Sequence, residues 1–400
     1  MRNCLHKQRS FLSRLATALF CILLVLSCDS SVKTVKGVIS LEEAINNLEM
    51  INLSEISESI RYIPLETTPE SFIGEILRGI EYDGKYVYIK SLRGKDIKIF
   101  DRDGKYVKTI DRSGRGPGEY EMIGSYVEIS PVNGNILVIG GFETMEYDFE
   151  GNFIRKVGLP KIEGHASMGA FIVSDNRYIT RIVGQYDREY SSVIYDSLLN
   201  IQKMIPVPDL YGMDRVGTSS QRSIMANTFQ YGNSTRIFYP ETKEILTTTG
   251  NDLDTAYVID YGKYRLPGGL INDVTPRDNY ISLHSFQETE KYLFMTAVTR
   301  GVLSSDSLSA ATLLYDKRTM SSKILYNRAE KKGGFQDDIM GGPELRLVNT
   351  HGKNTLFTYF NPIDLMAHAE KGGLSKELSD IVSNLKEDSN PVIVIVELKK

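Results

Sequence analysis

The chain has 400 residues, 41% of them hydrophobic and 24% charged, and this ordinary globular composition excludes wholesale disorder and a collagen-like repeat. The net charge is −4, but the first 27 residues carry Arg2, Lys7, Arg9 and Arg14 and no acid, so the remainder has 43 basic against 51 acidic residues. This remainder has no basic cluster. We therefore expect no nucleic-acid partner, because binding phosphates requires grouped Lys and Arg.

Residues 1–27 have the layout of a secretory signal peptide, with a basic start and an apolar run over 15–27. The apolar run is shorter than the roughly 20 residues that a membrane-spanning helix needs. All three cysteines lie at this end of the chain, and the last of them, Cys28, follows the apolar run directly. The segment Val25–Cys28 resembles a bacterial lipobox, which implies that Cys28 is the lipid attachment site. A plain signal peptide with an incidental cysteine, or a short retained anchor, is the alternative.

Residues 28–39 are short, polar and unpatterned, and we interpret them as a lipidated tether. Residues 40–59 follow as an N-terminal helix and lead-in. Ser40 with Glu43 has the form of a capping box, and Leu41, Ala44 and Ile45 follow at helical spacing. This pattern predicts a short helix at about 40–48.

From residue 60 to residue 400 the pattern changes to short strands that repeat. In the clearest unit, 83–110, the turn pair Asp83-Gly84 precedes the first strand. The pair Asp103-Gly104 lies between the next two strands and predicts a hairpin with a type I′ turn. A second copy spans 133–157, and weaker copies begin near residues 175, 233, 290 and 352. Six units at roughly 40–60-residue spacing indicate an all-β, six-bladed β-propeller. A β-sandwich, or a pair of them, is the alternative, but it does not require the same hairpin chemistry at this period.

The two ends of the repeat region predict how the ring closes. Arg61–Leu65 is strand-like and has no partner in the first unit, whereas the last unit ends at Val392–Leu398, one strand short. We expect residues 60–66 to supply the outer strand of the last blade and so to remove an exposed strand edge.

Two helices are expected inside the last blade. Asn361-Pro362 is a good helix start, with Gly372 beyond the end, and a second stretch at about 375–387 places Leu378 and Val382 on one side, together with Ile381 and Leu385. We interpret this pair as cover for one face of the disc rather than as a partner site.

Several segments carry a family resemblance: LETTPESFIGEI from residue 65, YDGKYVYI, IKIFDRDGKYVKTI, GRGPGEY and the ending EDSNPVIVIVELKK. Together they resemble the six-bladed β-propeller lipoproteins of Gram-negative envelopes, whose fold is similar to NHL- and TolB-like propellers. The resemblance covers about 40 to 400. It implies the fold and an envelope location, and it implies no established activity and no catalytic residues.

The loop Gly114–Tyr120 is the most distinctive motif. No Gly-Lys-Ser/Thr follows it, so it is not a phosphate-binding P-loop. One interpretation is a connection between blades that needs Gly and Pro. The other places Arg115, Glu119 and Tyr120 at the mouth of the central channel as ligand-binding residues.

The sequence assigns no catalytic residue, metal or cofactor. Beyond the leader, the histidines His165, His284, His351 and His368 are isolated, without metal-like spacing. A calcium loop beginning at Asp101 would need a glutamate near position 112, which is an arginine. No Gly-x-Ser-x-Gly elbow occurs, and any pair of the 51 acids could be chosen for glycoside cleavage.

These observations predict a lipid-anchored cell-envelope protein that contacts the membrane through its N-terminal lipid. We expect its propeller to bind a peptide, glycan or partner protein without catalysis. Two alternatives stay open: an envelope hydrolase or lyase with acids and histidines converging at the propeller axis, and a structural scaffold of an envelope complex.

Overall fold

Short antiparallel sheets account for most of the described chain. The computed structural model describes residues 37–73, 80–90, 95–120, 126–130, 133–139, 143–158, 166–173, 177–183, 190–206, 227–239, 242–249, 252–265, 279–303, 308–331, 333–346 and 349–400. Within these ranges, no helix has the length and apolar character needed to cross a membrane.

The described chain contains 27 strands, four α-helices and one 3-10 turn. The strands are β1 (Gly37–Ser40), β2 (Ile51–Asn52), β3 (Ser57–Pro64), β4 (Ile80–Tyr82), β5 (Tyr86–Lys90), β6 (Asp96–Asp101), β7 (Tyr106–Asp111), β8 (Tyr126–Ile129), β9 (Ile136–Ile139), β10 (Glu143–Tyr147), β11 (Phe153–Gly158), β12 (Ala166–Val173), β13 (Arg177–Val183), β14 (Tyr190–Tyr195), β15 (Ile201–Pro206), β16 (Asn227–Tyr231), β17 (Ser234–Phe238), β18 (Glu244–Thr249), β19 (Asp252–Asp260), β20 (Tyr280–Glu288), β21 (Tyr292–Arg300), β22 (Leu308–Asp316), β23 (Ser321–Leu325), β24 (Phe335–Gln336), β25 (Asn349–His351), β26 (Thr355–Phe360) and β27 (Val392–Leu398). The helices are α1 (Leu41–Asn46), α2 (Leu53–Ile56), α3 (Pro362–Ala369) and α4 (Lys376–Ser383), and a 3-10 turn spans Gly262–Tyr264.

The strands form sheets of nearly uniform size. Five sheets of four strands are present, in the orders β4-β5-β6-β7, β11-β10-β9-β8, β12-β13-β14-β15, β20-β21-β22-β23 and β25-β26-β27-β3. The first strands of neighbouring sheets contact one another, β4 with β8, β16 with β20 and β20 with β25, as expected of sheets arranged around a common axis. The protein is therefore an all-β protein with a propeller arrangement.

The prediction of six blades is wrong in its count, because two of the sheets have other sizes: β2 and β24 form a sheet of two strands, and another sheet has five. Strands β16 to β19 form a sheet to which β1 adds as a fifth strand, so the regular four-stranded blades number five. Strand β1 runs parallel to β19, with Val38 opposite Val258. Residues 37–39, which the sequence assigned to the tether, therefore belong to a sheet, and Ile39 is fully buried there.

The predicted strand near residue 62 pairs with the C-terminal strand. Strand β3 lies antiparallel to β27, with Ile63 opposite Ile393 and Arg61 opposite Ile395. The pairing joins segments from opposite ends of the chain and makes β3 the outer strand of the sheet that begins with β25. Side chains from both strands, among them Ile63 and Ile393, are buried in one cluster.

The hydrophobic core is divided among the interfaces between neighbouring sheets. One cluster joins Phe357 and Ile395 of the last sheet to Val87 and Ile89 of β5. The opposite face of the β4–β7 sheet contributes Tyr88 to a second cluster with β9. Since a single sheet cannot cover both of its own faces, each sheet depends on two neighbours for burial.

The Asp-Gly hairpins differ from the predicted type I′ geometry, which needs two residues with positive φ. Only Gly104, at φ 84°, has positive φ in the first hairpin, and its N–H donates to the Asp101 carbonyl at 3.0 Å. The Asp101 carboxylate accepts the N–H of Asp103 and of Lys105, each at 2.9 Å. These contacts define a type I turn followed by a left-handed glycine. Asp148 and Gly151 repeat the arrangement in the next sheet.

The predicted helices are present with shorter bounds. Ser40 caps α1, its Oγ accepting the Glu43 N–H at 3.3 Å, and Ser375 caps α4 by accepting the Leu378 N–H at 3.1 Å. Leu378 and Val382 are buried beneath α4, in the cluster that covers β3 and β27. The insertion thus covers the last sheet, as the sequence predicted.

Candidate functional site

The loop Gly114–Tyr120 connects β7, the outer strand of one sheet, with β8 of the next. The Gly114 N–H donates to the Tyr120 carbonyl, and the Tyr120 N–H donates to the Arg112 carbonyl, both at 3.0 Å. Gly118 has φ 75°, and a Cβ atom at this position would lie 2.6 Å from Cγ of Phe153. Close approach of the next sheet therefore requires glycine here.

Tyr120 is a packing residue of the interface between the first two sheets. Its side chain is buried, and its hydroxyl donates to the Lys95 carbonyl at 2.6 Å and accepts the Arg112 N–H at 3.2 Å. The ring meets Tyr147 edge-on. Burial raises the pKa of Tyr120 to about 12, so the hydroxyl stays protonated. This environment explains why the loop carries a tyrosine.

Arg115 and Glu119 are exposed on the same loop. The Glu119 carboxylate turns back onto its own loop, where Oε2 accepts the Gly116 N–H at 2.8 Å. The local geometry accounts for Glu119 and Tyr120 as parts of a connection between sheets. A ligand contact by Arg115, Glu119 or Tyr120 stays a prediction.

The histidines do not form a common site in the described chain. His165 and the predicted lipid attachment residue Cys28 lie outside the described residues. His284 is exposed on β20, and His368 hydrogen-bonds the Gly341 carbonyl at 3.0 Å. Burial against Tyr82 lowers the pKa of His351. Across the described ranges, no group of three or more His, Cys, Asp or Glu side chains is placed to hold a metal ion.

The most deeply buried charges form a cluster between the β16–β19 sheet and the β20–β23 sheet. Arg236 on β17 is 1% exposed, and its Nε donates to Oε2 of Glu288 at 2.7 Å. Oε1 of Glu288 accepts from the Tyr257 hydroxyl at 2.9 Å and from Lys317 Nζ at 3.0 Å. Because both carboxylate oxygens are engaged, Glu288 is suited to joining the sheets rather than to accepting a substrate proton.

Tyr231 completes this cluster from the solvent side. Its ring lies 4.6 Å from Lys317 Nζ and 5.1 Å from the Arg236 guanidinium carbon, both suitable for cation–π attraction. Burial and the neighbouring Glu288 carboxylate raise the pKa of Tyr257. The cluster carries two cations and one carboxylate, and the aromatic face provides additional stabilisation for the second cation.

Glu81 is the one carboxyl in the described chain whose pKa is strongly raised. It lies on β4, where its neighbours Ile80 and Tyr82 are buried against the last sheet, so its side chain points to the opposite face, like that of its strand partner Tyr88. Burial raises its pKa to about 8. No hydrogen bond or ion pair offsets that burial in the part of the chain that the structure describes.

We expect Glu81→Gln to change how stability depends on pH. The pKa of Glu81 is about 8 in the folded protein, against an ordinary value of 4.5. Between pH 4.5 and pH 8, Glu81 is therefore protonated in the folded protein and ionised in the unfolded chain. Wild-type stability therefore falls as the pH rises from about 4.5 to 8, and the glutamine variant lacks that loss. Urea unfolding at pH 5 and pH 8 should show the variant gaining relative to wild type at pH 8. The exposed change Glu58→Gln is the control, and an identical pH response in all three proteins would contradict the assignment.

An open groove of about 450 Å³ lies between the end of β3 and α4. Its lining consists of Pro64, Glu377, Asp380, Ile381, Asn384 and Leu385. Helical spacing predicts Ile381 and Leu385 on the buried side of the helix, whereas the structure leaves both half-exposed in this groove. The groove depends on β3 and α4 meeting, although they are about 310 residues apart in the sequence, and no local signal predicts that contact.

The buried charge cluster likewise has little signature in the sequence. Its one sequence signal is a charged residue inside an apolar strand pattern, as with Arg236 between Thr235 and Ile237. Such a residue indicates a buried partner, but the partner can come from any strand of a neighbouring sheet.

Comparison with known proteins supports the fold and gives no activity. The model of a family described as a domain of unknown function, DUF4934, matches residues 36–397, so the chain belongs to that family. A Bacteroides fragilis protein described as exported has 17% identity and a TM-score of 0.66, covering 91% of this chain and 100% of its own. A Bacteroides vulgatus member of the DUF4221 family has 13% identity and a TM-score of 0.53, covering 88% and 98%. No protein of curated function matches the chain.

Proposed function

We propose that this member of the DUF4934 family is an exported, lipid-anchored β-propeller that binds a peptide, glycan or partner protein without catalysis. The observation that carries the proposal is the open groove between Pro64 and α4. The apolar part of its lining, here called the floor, consists of Pro64, Ile381 and Leu385, and the polar part, the rim, of Glu377, Asp380 and Asn384, a composition suited to a binding surface.

The lipid anchor is supported by the order of segments at the N-terminus. The apolar run 15–27 ends directly before Cys28, and few residues separate Cys28 from β1. A lipid on Cys28 would therefore hold the propeller close to a membrane surface. Several acyl chains, each contributing about 0.8 kcal/mol per buried methylene, give stable attachment. The similarity to a Bacteroides protein described as exported supports the location.

Closure of the propeller is part of the proposal. In it, the pairing of β3 with β27 completes the ring by placing segments from both ends of the chain in one blade. In a closed ring every sheet packs against two neighbours, so no sheet face is left uncovered and the groove has a rigid support.

The test compares wild type with Cys28→Ala and Ile381→Glu. Metabolic labelling with a palmitate analogue should mark wild type and Ile381→Glu, and Cys28→Ala should carry no label. The intact, detergent-solubilised proteins are then used to capture material from envelope extract, followed by peptide and glycan analysis. We expect wild type to retain a specific ligand that Ile381→Glu, with a charge placed on the groove floor, does not retain.

Two results would contradict this proposal. Unchanged labelling of Cys28→Ala would exclude the anchor. Equal capture by wild type and Ile381→Glu would exclude the groove as the binding surface, provided that both proteins melt at the same temperature.

A further inference from the structure

The groove beside α4 is a concave surface built on a firmly anchored helix. Leu378 and Val382 of α4 are buried in the cluster beneath it, and Ser375 caps its first turn. The residues that face the groove, among them Glu377 and Ile381, follow at helical spacing on a neighbouring side. The helix therefore presents these side chains from an anchored backbone, which needs no ordering on binding.

The floor of the groove is apolar. Pro64, at the end of β3, lines the groove together with Ile381 and Leu385. Pro64 is exposed, and the other two are half-buried. A single aliphatic side chain inserted here would remove apolar surface from water on both sides, at about 25 cal/mol per Å².

The rim of the groove is acidic. Glu377 and Asp380 are both exposed, and their carboxylates form no hydrogen bond or ion pair in the part of the chain that the structure describes. None of the six lining residues is a cation, and Lys376 and Lys386 lie outside the lining. The charge of the rim is complementary to an ammonium or guanidinium group, and it opposes phosphates and anionic lipid headgroups.

From these features, and resting on the proposed binding function, we infer that the groove binds a peptide segment in which an aliphatic side chain stands next to a lysine or arginine. The aliphatic group occupies the floor formed by Pro64, Ile381 and Leu385. The cation lies between Glu377 and Asp380, where its attraction is strongest at low salt because exposed charges are screened.

The probe is a fluorescein-labelled, end-blocked heptapeptide in which one arginine stands between two leucines and the remaining residues are glycine and serine. A matched peptide carries glutamate in place of the arginine. Fluorescence anisotropy at low ionic strength measures the affinity of each for the intact protein. We expect the arginine peptide to bind at least about tenfold more tightly than the glutamate peptide, corresponding to about 1.4 kcal/mol.

The double variant Glu377→Lys/Asp380→Lys should lose this preference. The affinity of the double variant for the arginine peptide should be about tenfold lower than that of wild type. Added salt should weaken binding by wild type but not by the variant. The double variant Glu387→Lys/Asp388→Lys changes the charge of the same segment by the same amount outside the lining, and it should bind like wild type. Thermal melting of all variants checks that the fold is intact.

Equal binding of the two peptides by wild type would overturn the inference, as would unchanged binding by Glu377→Lys/Asp380→Lys. Suppose that envelope capture depends on Ile381. If the captured ligand is then a glycan, or if the arginine peptide does not bind, the inferred ligand chemistry is wrong and the binding function stands. If capture from the extract also fails to depend on Ile381, the proposed function itself is wrong.

Discussion

Replacing Glu288 by alanine should destabilise the protein by about 3–5 kcal/mol, the cost of leaving a buried charge without its partner. Arg236 is 1% exposed, so its guanidinium would lose its main partner without gaining contact with water. Tyr257 and Lys317 would lose the same acceptor. Since Arg236 belongs to one sheet and Glu288 to the next, the interface between these sheets should loosen first. Equilibrium urea unfolding followed by far-UV circular dichroism measures the loss.

Two further variants separate charge from general perturbation. Glu290→Ala removes an exposed carboxylate two residues away, whose Oε2 accepts from Asn354 at 3.4 Å, and should change stability by less than about 0.5 kcal/mol. Glu288→Gln keeps the shape but removes the charge, and its effect should fall between the other two. Similar stability of Glu288→Ala and Glu290→Ala would show that the cluster does not stabilise the sheet interface.

Deleting residues 58–66 should abolish the cooperative unfolding transition. The deletion removes all of β3 except Ser57, and with it most of the pairing with β27 and the buried side chains of Ile60, Tyr62 and Ile63. It also removes the Tyr62 hydroxyl that donates to Asp337 at 2.7 Å. Strand β27, whose side chains are almost all buried, would become an exposed edge. Differential scanning calorimetry should show no sharp transition, or one displaced far below that of the intact protein.

Deleting residues 37–40 is the matched control, because it also removes an outer strand. That sheet keeps the four strands β16 to β19, so we expect a lower melting temperature with cooperativity preserved. If the deletion variant melts within about 3 °C of wild type, the pairing of β3 with β27 does not stabilise the last sheet.

Asn390 shows why that junction is stable. Its side chain is buried, and Oδ1 accepts the Ile73 N–H at 2.9 Å. Nδ2 donates to the carbonyls of Glu66 at 2.7 Å and Ser71 at 2.9 Å. One residue just before β27 thus satisfies three backbone groups of the loop that follows β3. Buried backbone groups need such partners, so the loop is held to the C-terminal segment by hydrogen bonds as well as by packing.

Local sequence patterns predict most of the strands, most helix starts and one long-range pairing. Alternating apolar residues beside turn pairs such as Asp83-Gly84 indicate strands, because a half-buried strand exposes every second side chain. Ser40 and Asn361-Pro362 mark helix starts through local hydrogen-bonding and φ preferences. The partner of β3 could be predicted because one strand was left over at each end of a repeat.

Contacts between segments that lie far apart in the sequence are visible only in the tertiary structure. The addition of β1 to β19 uses backbone hydrogen bonds, which any sequence of suitable shape can form, so Gly37–Ser40 carries no local sign of it. Glu288 and Arg236 are 52 residues apart, and the groove joins Pro64 to a helix near the C-terminus. Such contacts are selected by the total burial of the folded chain, and local patterns of hydrophobicity and turn chemistry do not specify which distant segments meet.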